Sequence, residues 1–115
     1  MPLQTNIKKL SGTLTTDGAG AASTDLTTSG YKLYKVNLNS GDPTGGGANL
    51  TGGTLKAQDN AGAGTIHATV TPSGAGNTVE KALGSGVAVT NTLRISVSGG
   101  GATKKCGYSV WLVAA

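Results

Sequence analysis

The stretch SGGGATKKCG, residues 98–107, holds three consecutive glycines, two lysines and the one cysteine of the chain. Three kinds of chemistry use residues like these. Glycine amides next to a lysine can cradle a phosphate, a cysteine next to lysines can act as a thiolate nucleophile, and glycines can simply turn the chain. A phosphate loop needs G-x-x-x-x-G-K-[ST] with a helix behind it. Here Lys104 follows Thr103, Lys105 follows Lys104, and strand-like alternation follows at 107–113. The lysines would favour a Cys106 thiolate, but a nucleophile also needs a base, and His67 is the one histidine. His67 alternates away from Ile66, Ala68 and Val70, which reads as a surface histidine. Cys106 shares parity with Tyr108, Val110 and Leu112 and reads as a small core residue. The glycines then read as a hairpin connection between strands at 92–98 and 107–113, adopting positive φ without steric cost.

The carboxylates suggest no acid–base pair. Asp17, Asp25, Asp42, Asp59 and Glu80 all fall in or near loops; Asp42 precedes Pro43 and Asp59 precedes Asn60, both ordinary turn chemistry. DNAGAG at 59–64 lacks the alternating oxygen ligands of a calcium loop. A single cysteine and a single histidine exclude cysteine- and histidine-rich metal sites. The expectation is a protein that is not an enzyme, with no catalytic residue, metal, cofactor or small-molecule substrate. The aromatic residues Tyr31, Tyr34, Tyr108 and Trp111 suit either sugar stacking or packing. Trp111 alternates to the face opposite Tyr108, so Trp111 and Tyr31 are the candidate subunit-interface residues.

Period-two alternation supplies the elements that must carry these residues. TLRISVS at 92–98 points Leu93, Ile95 and Val97 one way; TIHATV at 65–70 does the same with Ile66, Ala68 and Val70. YKLYKVNLN at 31–39 sets Tyr34, Val36 and Leu38 against Lys35, Asn37 and Asn39, and GYSVWLV at 107–113 sets Tyr108, Val110 and Leu112 against Ser109, Trp111 and Val113. Weaker strands read at 7–16, 50–58 and 86–90. NTVEKAL at 77–83 fits a short capped helix or a strand, and the strands around it favour the strand. Glycine-rich breakers at 16–23, 40–49, 59–64, 72–76, 84–86 and 98–102 separate the runs. About seven or eight short strands at this spacing make an all-β antiparallel sandwich or barrel. Residues 7–115 read as one domain, with residues 1–6 as an N-terminal arm.

Composition bounds the function. The chain has 115 residues, 20 glycines, no phenylalanine, a charged fraction of 12% and a net charge of +4. With 22 Leu, Ile and Val residues, the core is thin and gains from burying surface against further copies or a partner. No apolar run is long enough for a membrane helix. The start, MPLQTNIKKL, lacks an apolar signal core, so synthesis in the cytoplasm without general secretory export is expected. The basic residues are dispersed and few aromatics interleave them, which argues against a nucleic-acid partner. The mild positive balance suits docking on an acidic protein lattice.

The runs YKLYKVNLNSG, TGGTLKAQDNAGAGTIHATVTPSG and GSGVAVTNTLRISVSGGGATKKCGYSVWLV, spread over residues 31–113, resemble small head decoration, or cement, proteins of tailed bacteriophages. The resemblance implies a jelly-roll-type sandwich and a non-enzymatic virion protein. Such a protein binds the outer capsid surface as a homotrimer and bridges major capsid subunits. Position and charge nominate Pro2, Leu3, Gln4, Thr5, Asn6, Lys8 and Lys9 as capsid contacts. The pattern also occurs in phage fibre domains, so the alternative is a host-recognition or carbohydrate-binding domain of a fibre or spike.

Overall fold

The computed structural model describes residues 7–114. Eight strands follow one another: β1 (Ile7–Thr15), β2 (Ala22–Thr27), β3 (Tyr31–Asn39), β4 (Thr54–Gln58), β5 (Ile66–Val70), β6 (Thr78–Ala88), β7 (Thr92–Ser98) and β8 (Lys105–Ala114). They form two four-stranded antiparallel sheets, ordered β1-β8-β3-β6 and β2-β7-β4-β5. Among the described residues only β4 and β5 are both consecutive and paired; every other link crosses from one sheet to the other. This is a jelly-roll sandwich.

The core lies between the sheets. One sheet contributes Leu14, Leu33, Val36, Leu38, Cys106, Val110 and Leu112, and the other Leu55, Ala57, Ala68, Val70, Leu93, Ile95 and Val97. Leu50, from the loop before β4, closes one end and is fully buried. Aliphatic chains of similar size fill both inner faces, so alternation along each strand is what separates core from surface.

Several local expectations change. The link from β7 to β8 is no hairpin, because the two strands belong to different sheets. Its glycines instead bind neighbouring loops: the Gly100 amide donates to the Gly20 carbonyl at 2.9 Å, and the Thr51 amide to the Gly100 carbonyl at 2.9 Å. Gly20, at φ +82°, allows this approach, since a Cβ there would lie 2.7 Å from the Gly101 amide nitrogen. Tyr34 does not join the core. The register shifts between Leu33 and Lys35, a bulge that turns Leu33 inward and leaves Tyr34 36% exposed. Ile66 also leaves the core, at 49% exposure, where β5 bulges at His67 and its pairing with β4 shifts between Ala57 and Gln58.

Of residues 77–83, all from Thr78 on belong to a strand, as favoured, and it runs on into the separate strand read at 86–90 to end at Ala88, making one long β6. β2 was absent from the sequence reading. Its inward positions, Ala22, Thr24 and Leu26, are half-buried and offer little apolar contrast. At Asp59–Gly62 the expected turn is tight, with Asn60 and Ala61 both left-handed, at φ 53° and 52°.

Candidate functional site

Alternation along β8 sends Trp111 to the outer face of the β1-β8-β3-β6 sheet. Antiparallel register then sets Lys9 on β1 and Lys35 on β3 directly beside it. The Lys9 ammonium lies 5.1 Å from the indole centroid and the Lys35 ammonium 4.3 Å. Both are within cation–π range, worth about 0.5–1 kcal/mol each at an exposed site. Lys35 also reaches Glu80 of β6 at 3.6 Å. Lys8 sits 5.4 Å from the ring of Tyr31. The nominated residues therefore fall into two groups: Lys9 and Trp111 meet on the outer face, whereas Lys8, opposite the buried Leu112, and Tyr31, packed against the core, meet on the inner side of the same sheet. Pro2, Leu3, Gln4, Thr5 and Asn6 lie outside the described residues.

Two residues further along the strands the face becomes a polar trough of about 350 Å³. Ser11, Ser109 and Asn37 form one row across β1, β8 and β3, and Thr13, Gly107 and Asn39 the next. Gly107 has no side chain to fill the floor, and Pro43 stands as a wall beside it. Sequence reading placed Lys35, Asn37 and Asn39 on one face of their strand but had no signal for what the neighbouring strands set beside them.

The thiol chemistry weighed for Cys106 has no setting. The side chain is fully buried, and burial pushes the thiol up to about 11. His67 is on β5, in the other sheet. It is half-buried rather than a plain surface residue, and its Nε2 is buried with no hydrogen-bond partner. Burial pushes the imidazole below its ordinary value, against the pull of the Asp59 charge, with Lys81 adding to the depression. Asp59 is itself committed: burial would raise it, but the Thr90 amide and hydroxyl, both at 2.9 Å, hold it ionised.

The other carboxylates are tied locally too. Asp17 accepts from the Ala21 and Ala19 amides, and Asp42 from the Thr44 hydroxyl and amide. Asp25 pairs with Arg94. On the outer face of the β2-β7-β4-β5 sheet, Lys56, Gln58, Arg94, Ser23 and Ser96 line a second shallow cleft of about 420 Å³. Among the described residues no group of three or more His, Cys, Asp or Glu side chains is placed to hold a metal.

No protein-family model matches the chain. No curated protein matches it either. The fold is similar to that of a protein of the Bacillus endospore appendages, described as a novel family of disulfide-linked pili. That match has 16% identity and a TM-score of 0.57, and covers 96% of this chain and 89% of that one. A chain of the virus-like particle of the giant freshwater prawn Macrobrachium rosenbergii extra small virus aligns at 9% identity and a TM-score of 0.45, over 98% and 82% of the two chains. A family 29 carbohydrate-binding module complexed with cellulohexaose aligns at 12% identity and a TM-score of 0.45, over 99% and 82%.

Proposed function

We infer that this chain is a non-enzymatic structural protein that works in many copies on the outside of a larger particle. In its most specific form, the reading is that it binds the outer surface of a phage capsid as a homotrimer and bridges neighbouring major capsid subunits. The observation that carries it is where the exposed apolar side chains sit. Ile7, 50% exposed, begins the edge strand β1, and Ile66, 49% exposed, begins the edge strand β5 of the other sheet. Edge strands present unpaired amides and carbonyls, and an exposed isoleucine beside them favours pairing with another chain. The near full-length likeness of fold to a pilus protein supports the broader half of the reading. The net charge of +4 favours an acidic lattice, and many weak contacts across such a lattice add up to firm retention.

The test is the solution mass by light scattering after size exclusion, followed by co-sedimentation with undecorated phage heads. A mass near three times 11.2 kDa with saturable retention on heads is expected. A monomer at every concentration that also fails to sediment with heads overturns the reading.

A further inference from the structure

We propose that the outer face of the β1-β8-β3-β6 sheet binds an acidic polysaccharide, its carboxylates on Lys9 and Lys35 beside Trp111 and its hydroxyls in the trough lined by Asn37, Ser109 and Ser11. The proposal does not rest on the assembly reading, although Lys9 and Trp111 are also among the contact residues nominated for it. Three observations carry it.

The first is charge. Lys9, Lys32 and Lys35 all point out from this face, and among the described residues its one ion pair is the long contact between Lys35 and Glu80. Lys9 and Lys32 therefore have no carboxylate partner there. The indole draws the Lys9 and Lys35 ammonium groups in from two neighbouring strands, so they are already gathered before any ligand arrives.

The second is the trough. Among the described residues, the Asn37 amide and the Ser11, Ser109 and Thr13 hydroxyls make no hydrogen bond to the protein. Asn39 uses only its Oδ1, which accepts from the Gly41 amide at 2.8 Å and the Thr78 hydroxyl at 3.4 Å. Its NH₂ group stays free to donate. Amides and hydroxyls in successive rows offer both donors and acceptors, as a chain of sugar hydroxyls requires.

The third is what the aromatic ring is doing. A neutral sugar needs an open indole face to stack on, and Trp111 already holds two ammonium groups. The same occupancy disfavours a nucleic acid, whose bases bind by stacking. A sugar bearing a carboxylate instead gains from the ammonium groups that exclude the neutral one. An acidic protein surface would match the lysines but leave the trough unused.

Trp111 is the one tryptophan of the chain, so its fluorescence reports this face. The full chain is titrated with polygalacturonate, with an uncharged galactan of equal length and with poly-glutamate. Saturable quenching by polygalacturonate is expected, at least about tenfold tighter than by either other polymer and weakened by salt. The pair Lys9→Gln and Lys35→Gln should lose about tenfold or more in affinity. The pair Asn37→Ala and Ser109→Ala should lose several-fold, with the melting temperature unchanged. Equal binding of the neutral galactan overturns the proposal. Equal binding of poly-glutamate, or full affinity in the Asn37 and Ser109 pair, overturns it in favour of an acidic protein partner. The comparison of three polymers on the unaltered chain decides the matter even if a variant fails to fold.

Discussion

Arg94 and Asp25 face each other directly across β7 and β2, and the guanidinium grips the carboxylate with both prongs. Arg94 Nε donates to Oδ1 at 2.7 Å and Nη2 to Oδ2 at 3.1 Å. β2 is an edge strand with a weakly apolar inner side, so this exposed fork is a principal side-chain tie between it and the sheet.

Breaking the fork should loosen β2 without unfolding the protein. In Asp25→Asn, amide exchange at Ala22–Thr27 speeds up while Leu93, Ile95 and Val97 stay protected, and high salt does the same to the unaltered chain. The Arg94 hydrogen bond holds the Asp25 carboxyl below its ordinary 3.8. Its stabilisation is therefore present above that value and fades as pH falls through the lower folded one. Unchanged exchange in β2 would show that the fork holds nothing.

His67 gives a second pH window. Burial keeps its imidazole neutral below the ordinary 6.5, so the unfolded chain takes up the proton first. Stability is complete above about 6.5 and declines as pH drops beneath it. Urea midpoints across this range should show the slope, and His67→Asn should flatten it. A midpoint that rises on acidification would contradict the account.

Cys106 should be inert. With the thiol pushed up to about 11 and the side chain fully buried, disulfide reagents should react with the native protein only as fast as it opens. Because the folded value exceeds the ordinary 9.0, this group's stabilisation is whole below 9.0 and is lost as pH rises towards about 11. Cys106→Ser sets a hydroxyl in the aliphatic core and should cost about 1–3 kcal/mol by denaturant unfolding.

Two glycines with the same dihedral separate strain from crowding. Gly20 and Gly30 both have φ +82°, but a Cβ on Gly30 meets open space. Gly30→Ala should cost about 1–2 kcal/mol, the left-handed penalty alone. Gly20→Ala adds contact with the rigid Gly101 backbone, and should be clearly the more damaging of the two in thermal melts.

What the sequence revealed follows from the range of each interaction. Leu93, Ile95 and Val97 lie inward as their alternation says, because facing is set within a strand. Tyr34 and Ile66 defy alternation because each depends on a bulge, which one strand alone does not announce. β2 escaped notice because its inner side offers little apolar contrast, and its ladder to β7 and the Arg94 fork depend on a partner far away in sequence. The candidate site was half legible for the same reason. Lys9 and Trp111 were singled out, but their meeting with Lys35 and the trough depends on register between strands distant in the chain.

The position of β8 has a consequence for synthesis. β1 pairs with β8 alone, and Ile7 lies opposite Val113. On the ribosome, β1 therefore waits without a partner until β8 has been translated. Contacts this distant along the chain make for high contact order and folding in roughly milliseconds to seconds. During that wait β1 presents a full row of unpaired amides, which makes the interval before β8 emerges, rather than the finished fold, its most vulnerable moment for aggregation.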